Sequence, residues 1–504
     1  MTIDSLLIRP RIANQGAIGE SASRLEPLRS LLWPLGLLFM VAMPLPYLTR
    51  FDYTHALTAA VVGLILCGAC LFNTRGGIIA AICYLAVLGD YRRYASFFQG
   101  YPESDPLLLV GPAAAVVLLL KASLGREQQV RGSTLSRLIL VLMLLMVISI
   151  FNPLQGGIRV GLAGALFYMP PLLWFWVGRL YATEEFFGFF LFRILVGIGV
   201  LGTLWGLYQS FYGLFGFEQQ WVNQVGYAAL QISDEVVRAI GFFTSSAEYQ
   251  RCLLLTGALA LAAWFATRSK LVLLVPLVAL AIFLSAARGP IVTIMLSGVA
   301  MWAVSARSPA AWGPRFVLAA AIGGGLLVGV LVVLNSTTFS SRFAPIVSRQ
   351  VEGLLDPTNP EKSTATGHAE LVIDGLASGF TAPAGYGLGA TTIAASKYGG
   401  VMASTEFDLS NIMVSLGILG GVLYEVIVAL VLVTALRWWK AARTPSALAM
   451  LGICIATVGA WLIGGEYSMV AIIWFCVGSM DRLYGQATRD AIQRKRDAHR
   501  LSHA

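Results

Sequence analysis

The sequence predicts an all-α, polytopic membrane protein. Three observations support this fold class: an apolar composition, long apolar blocks and an uneven distribution of basic residues. Of the 504 residues, 57% are hydrophobic and only 12% are charged, a balance that soluble globular domains do not have. Because lipid offers the backbone no hydrogen-bonding partner, long apolar blocks in a membrane must be helical.

About fourteen apolar blocks are predicted to form transmembrane helices. They lie near residues 31–48, 56–72, 76–90, 106–121, 136–151, 160–178, 186–211, 249–267, 270–287, 290–306, 315–335, 410–437, 446–464 and 467–481. Blocks 76–90 and 467–481 are short for a crossing, so whether they span the bilayer fully stays open at this point.

The basic residues orient these helices, since Lys and Arg gather on the cytoplasmic side of a membrane. With both termini inside, about two thirds of the 35 basic residues fall on the cytoplasmic side. The predicted parts are a cytoplasmic tail (1–30), eleven helices (31–335), a large extracytoplasmic loop (336–409), three helices (410–481) and a basic cytoplasmic tail (482–504). The net charge of +9 follows from this bias, with the basic tail resting on anionic lipid, so the expected partner is the bilayer and no nucleic acid.

Cysteine and histidine give no sign of a cofactor. All six cysteines lie within apolar blocks, so we expect no disulfides. The four histidines lack the spacing of metal ligands, so we expect neither a metal site nor another cofactor.

Several arginines break the charge bias on the outer side. They are Arg92 with its neighbour Arg93, Arg159, Arg238, Arg251 and Arg288. An arginine stays protonated and presents a planar fork that matches phosphate oxygens, so these residues are candidates for binding a lipid-linked diphosphate. The alternative is that each one anchors a helix end to lipid phosphate.

The large loop is too long for a simple connection and contains ordered patterns. "TGHAELVIDGLASG" predicts a short amphipathic helix. "GYGLGA" (Gly385, Gly387, Gly389) lacks the strand and helix of a nucleotide loop and instead predicts a tight backbone path with positive φ.

Three titratable residues of this loop are candidate catalytic bases: Glu406, Asp408 and His368. A carboxylate or an imidazole beside an arginine-lined site could accept a proton from a sugar hydroxyl. The alternatives are helix capping for the two carboxylates and a solvated side chain for His368.

Taken in order, four segments carry a resemblance to a known family. They are "RAIGFFTSSAEYQRCLLL", "LSAARG" at an outer turn, "GHAELVIDGLASGFTAPAGYGLGA" and "TEFDLSNIMVSLGILGGVLYE". Over roughly residues 236–430, the chain resembles the O-antigen ligase and O-antigen polymerase superfamily.

The resemblance implies a GT-C-like helical bundle in the bacterial inner membrane. It also implies a metal-independent, inverting glycosyl transfer at the extracytoplasmic face. The donor would be an undecaprenyl-diphosphate-linked glycan, and the acceptor a sugar hydroxyl of another glycan or of a lipid-linked acceptor. By position, Arg238 and Arg288 would hold the diphosphate and stabilise the leaving group.

The chain departs from the family pattern at two places. Ligases usually have a His-Asn pair where this sequence has Ser410-Asn411, and commonly an arginine where it has His368. These departures favour a polymerase over a ligase and leave the identity of the base open.

Two other functions stay open. One is a non-catalytic component that works with polysaccharide export machinery. The other is a transporter, which is disfavoured because the predicted spans carry few ionisable residues well inside them, Arg193 among them, whereas ion-coupled carriers usually need several.

Overall fold

The computed structural model describes most of the chain. The described residues are 25–49, 54–125, 132–225, 231–233, 236–306, 308–318, 321, 324–325, 344–356, 359, 365–403, 405–463 and 466–501. Most of the predicted N-terminal tail, the end of the predicted span 315–335 and the start of the loop at 336–343 lie outside them.

Within these residues the protein is helical, apart from one small antiparallel hairpin, β1 (Gln231–Ser233) with β2 (Val236–Val237). The first helices are α1 (Leu25–Ala42), α2 (Leu45–Leu48), α3 (His55–Phe72), α4 (Thr74–Gln99), α5 (Val110–Leu124), α6 (Thr134–Ser149), α7 (Ile158–Tyr181), α8 (Glu184–Phe189), α9 (Val196–Tyr212) and α10 (Gly216–Val225). The remaining ones are α11 (Ser246–Thr267), α12 (Leu274–Leu284), α13 (Gly289–Val304), α14 (Ala344–Leu355), α15 (Ala365–Thr381), α16 (Ile393–Tyr398), α17 (Asp408–Ala442), α18 (Pro445–Thr457) and α19 (Ser468–Leu501).

Six of the described helical stretches are long and apolar enough to cross a membrane. They are His55–Phe72, Pro106–Leu124, Ile158–Tyr181, Glu184–Tyr212, Ser246–Thr267 and Asp408–Ala442. Shorter apolar helices occupy several other predicted spans, including 134–149, 270–284 and 289–304. The prediction of a polytopic helical membrane protein is confirmed at this level, and the number fourteen stays a prediction.

The two short predicted spans are parts of much longer helices. Block 76–90 is the first part of α4, which continues to Gln99 and ends at Gly100 with a φ of 80°. Arg92 and Arg93, which lie beyond the predicted span 76–90, are therefore part of the same helix. Block 467–481 is the start of the 34-residue helix α19, which continues into the basic tail. Charged residues end an apolar block in the sequence, but they do not end a helix. Because residues 90–99 contain neither glycine nor proline, nothing in them interrupts α4.

Contacts between helix ends divide the connections into two sets. At one end, Asp408 accepts a hydrogen bond from the Leu462 main-chain N–H at 3.1 Å. At the other end, the Trp439 indole N–H donates to the Val304 carbonyl at 3.0 Å. We call the first the loop end (residues 213–225, 231–233, 236–245, 285–288, 344–356, 359, 365–403, 405–407, 458–463 and 466–467) and the second the tail end (residues 180–183, 305–306, 308–311 and 443–445).

Helix α17 is broken at Gly417, and a loop segment fills the break. Gly417 has φ 68° and ψ −167°, so the helical hydrogen-bond ladder stops there. The main-chain N–H of Tyr386 donates to the Val414 carbonyl at 2.7 Å, and that of Gly387 donates to the Ser415 carbonyl at 3.1 Å. Gly385 and Gly387 both have positive φ, which confirms the tight path predicted for "GYGLGA". The segment thus satisfies carbonyls that would otherwise be unpaired inside the bundle.

Helix α4 also approaches residues 242–244 at very short range, and a glycine allows it. A Cβ atom on Gly89 would lie 2.1 Å from the carbonyl group of Phe243. We therefore expect Gly89→Ala to force the two backbones apart and to destabilise the protein by about 1–3 kcal/mol. Thermal unfolding of the detergent-purified protein measures this.

Gly68→Ala on α3 is the matched control, since no atom lies within 4 Å of its added Cβ. It should leave the Tm unchanged or raise it slightly, because alanine favours helix. Equal melting temperatures for both variants would show that α4 does not pack on residues 242–244 as described.

Candidate functional site

Three arginines from distant parts of the chain come together at the loop end. Arg238 directly follows strand β2, Arg288 precedes the first residue of α13, and Arg349 lies in the middle of α14. Burial lowers the pKa of Arg238, and the charges of Arg349 and Arg288 lower it further. Burial and the charge of Arg349 also lower the pKa of Arg288. The charge of Arg349 therefore acts on both Arg238 and Arg288, and the charge of Arg288 acts on Arg238, so we call the three residues the arginine cluster.

Helix α14 brings Arg349 to the cluster because its neighbour Gln350 docks on the turn between α12 and α13. The Gln350 side-chain amide donates to the Phe283 carbonyl at 3.0 Å and to the Ala287 carbonyl at 3.5 Å. Ile346 and Val351 bury the apolar side of the same helix at 1% and 2% exposure. The docked helix is thereby held one residue away from Arg288.

Two members of the cluster, Arg238 and Arg349, have unmet hydrogen-bonding capacity that suits an anion. Like charges held together repel each other, and an anion between them removes that repulsion. In addition, the Nε atoms of Arg238 and Arg349 are buried, and neither has a hydrogen-bond partner among the described residues. An unsatisfied buried donor is costly, so an anion with several oxygens would stabilise this arrangement.

Two of the predicted catalytic residues form a pair on the same end of the bundle. His368 on α15 places its Nδ1 atom 3.1 Å from Oε1 of Glu406. Both side chains are about half exposed, at 53% and 43%, so a ligand can reach them. Helix α15 reaches this position because Gly375 packs closely against Thr405 and Ser410.

Asp408 is placed differently, because it is fully buried. It accepts hydrogen bonds from the Tyr424 hydroxyl at 2.6 Å, from the Leu462 N–H at 3.1 Å and from the Trp461 N–H. Both carboxylate oxygens are therefore engaged, and Asp408 ties the start of α17 to the turn after α18.

Ser410, the residue before Asn411 in the first turn of α17, is likewise enclosed. Its hydroxyl accepts from the Phe407 N–H at 3.3 Å and donates to the Phe407 carbonyl at 2.9 Å. Its side chain is fully buried. In this structure Ser410 caps the first turn of α17.

The other two predicted diphosphate ligands lie apart from the cluster. Arg92 forms an ion pair with Asp105 at 2.5 Å, and Asp105 is itself almost fully buried. Arg159 is exposed at the second residue of α7. Among the described contacts, neither residue touches Arg238, Arg288 or Arg349. Arg251, the further outer cation, is buried in an ion pair with Glu466.

Sequence reasoning missed Arg349 and Gln350. The signal was available as the amphipathic stretch "APIVSRQVEGLL", whose apolar residues recur at helical spacing and which carries an arginine and a glutamine side by side. Its docking site on the turn before Arg288 could be found only from the folded chain.

Comparison with known proteins gives no assignment, since no family model matches the chain and no curated protein matches it.

If Asp408 anchors the loop end, its removal should affect stability. Asp408→Ala leaves two main-chain N–H groups and the Tyr424 hydroxyl without their buried acceptor, so we expect a loss of about 3 kcal/mol or more. The control is Asp374→Ala, which removes an exposed carboxylate from α15. Thermal unfolding should separate the two variants clearly. A Tm for Asp408→Ala equal to that of the wild type would contradict the anchoring role.

Proposed function

We propose that this protein is a polysaccharide polymerase or ligase of the O-antigen type in the bacterial inner membrane. It would transfer an undecaprenyl-diphosphate-linked glycan to a sugar hydroxyl. The observation that carries the proposal is the arginine cluster, which gathers three cations at the end of the bundle that also holds the His368–Glu406 pair.

The proposed orientation places the loop end outside the cytoplasm. The basic residues Arg443 and Arg482, which donate to the Val304 and Arg179 carbonyls, lie toward the tail end, in agreement with the positive-inside bias. The cations of the cluster would then lie near the outer membrane surface, where the diphosphate of a lipid-linked glycan is found. The fourteen-helix, GT-C-like bundle belongs to this proposal as well.

The cluster would act on the leaving group. As the acceptor hydroxyl oxygen attacks C1 of the donor sugar, the bond from C1 to the diphosphate oxygen breaks and negative charge grows on the diphosphate. Guanidinium groups that are already held together bind this charge without reorganising. The products are the lengthened glycan and undecaprenyl diphosphate.

The His368–Glu406 pair would receive the proton of the attacking hydroxyl. An imidazole that faces a carboxylate at Nδ1 can accept a proton at Nε2, and the carboxylate then stabilises the imidazolium. Asp408 would support the pair indirectly, because it fixes the start of α17, two residues after Glu406. Because Ser410 replaces the usual histidine, we favour a polymerase over a ligase.

A second candidate function is a non-catalytic membrane component of a polysaccharide export system. Ser410 favours it, because a buried capping serine cannot replace a basic histidine. Such a protein would keep the fold and would tolerate loss of the arginine cluster.

Arginine substitutions test the proposal directly. Arg238→Ala, Arg288→Ala and Arg349→Ala should each lower glycan transfer by about 100-fold or more, because each removes charge from the leaving-group site. The Lys variants should recover only part of the activity, since lysine lacks the planar fork. Transfer is measured in membranes that contain equal amounts of each protein.

Arg75→Ala is the matched control, because Arg75 is exposed at the tail end and stacks on Phe186. It should transfer glycan at the wild-type rate. Wild-type activity in all three cluster variants would reject the diphosphate site and leave the non-catalytic role.

The exposed pair gives an independent test of the base. His368→Ala and Glu406→Gln should each lower the transfer rate by about 100-fold while the Tm stays unchanged, because both side chains are half exposed. Glu370→Gln, on the same helix and also exposed, should have no effect. Full activity in the two pair variants would mean that another group takes the proton.

A further inference from the structure

The residues that follow Arg238 are held by two buried polar side chains from other helices. Gln209, near the loop end of α9, accepts hydrogen bonds from the main-chain N–H groups of Ile240 at 3.0 Å and Gly241 at 2.8 Å. Its amide group donates to the Gly241 carbonyl at 3.2 Å. Gln209 is 3% exposed, so these bonds do not compete with water.

Arg93 of α4 holds the same segment from the other side. Its guanidinium donates to the Phe243 carbonyl at 2.7 Å and to the Gly241 carbonyl at 3.0 Å. Only 1% of this side chain is exposed, and Asp90 balances its charge at 3.1 Å. We call Gln209 and Arg93 the clamp.

A buried carboxylate joins the two members of the clamp. Glu218 of α10 accepts from the Gln209 amide at 2.7 Å and lies 4.0 Å from the Arg93 guanidinium. Burial and the nearby charge of Asp90 raise the pKa of Glu218 to about 7, although Arg93 opposes the shift. Gln209 is therefore fixed at both ends of its amide group.

All the hydrogen bonds that the clamp makes with main-chain atoms go to residues 240–243. None of them joins one transmembrane helix to another. Arg238 lies two residues before that segment and directly after strand β2. A small apolar cluster of Trp221, Val222 and Ile240, with Val237 packed against it, fixes the same stretch. The backbone is thus held in place both before Arg238, at Val237, and after it, at residues 240–243.

We infer that Gln209 and Arg93 are positioning residues that hold Arg238 in the arginine cluster for binding a diphosphate. This inference rests on the proposed function, since it takes the cluster to be a diphosphate site. It predicts that the clamp affects diphosphate binding through Arg238 and through no other residue of the cluster.

A double-mutant cycle with inorganic pyrophosphate tests the inference. Affinity is measured by isothermal titration calorimetry on the purified full-length protein at pH 8, above the pKa of Glu218. Gln209→Leu should raise the Kd by about tenfold in the wild-type background and should change it little in the Arg238→Ala background, because the arginine it positions is then missing. Arg93→Lys, which keeps the charge but loses the fork, should show the same dependence with a smaller loss.

Gln219→Leu is the matched control, since Gln219 is an exposed glutamine on the neighbouring helix α10. It should leave the Kd unchanged. If Gln209→Leu does not fold, Arg93→Lys in the two backgrounds decides the question.

The outcomes separate the inference from the proposed function. An equal loss of affinity with and without Arg238 would overturn the positioning role and leave the diphosphate site intact. A wild-type protein that does not bind pyrophosphate would overturn the diphosphate site and the inference together. A cycle that behaves as expected in a protein without glycan transfer would support the positioning role and reject the enzyme.

Discussion

A backbone that leaves its helix inside a lipid-embedded bundle must find hydrogen-bond partners in the protein, and this constraint shapes the whole loop end. Buried side chains supply many of the partners. Glu248 accepts from the main-chain N–H groups of Tyr467 at 2.8 Å and Ser468 at 2.6 Å, so a carboxylate caps the start of α19. Asp408 does the same for Trp461 and Leu462. These contacts fix irregular segments in a region where water cannot satisfy them.

The same constraint makes a site of concentrated positive charge possible. Three arginines repel each other, and a flexible loop would let them separate. Here Arg238 follows a clamped segment, Arg288 precedes the first residue of α13, and Arg349 lies on a helix that Gln350 fastens to the turn before Arg288. The packing energy of the loop end holds the charges together, and an anion would release the repulsion.

How much could be read from the sequence differs between parts of the molecule. The helical membrane fold, the amphipathic helix around His368 and the positive φ of Gly385 and Gly387 follow from local composition and residue type, and the structure confirms them. The joint role of Arg238 and Arg288 at a diphosphate, which the resemblance implies, stays a prediction.

Other features depend on contacts between distant residues and could not be predicted locally. The pairing of Arg92 with Asp105 removes one predicted ligand from the cluster, and it depends on how the chain returns after Gly100. Arg349 joins the cluster only through the docking of α14. The burial of Asp408 depends on the turn after α18, which is more than fifty residues away in the sequence. In each case, a side chain with a plausible local role found its partner elsewhere in the fold.

The most direct measurement is the size distribution of lipid-linked and extracellular glycans after deletion of the gene in its host, with complementation by the wild-type gene. A polymerase predicts that short undecaprenyl-linked repeats accumulate while long polymer is lost. Full-length chains stranded on the lipid carrier would identify a ligase instead. An unchanged glycan profile would contradict the proposed function in both forms.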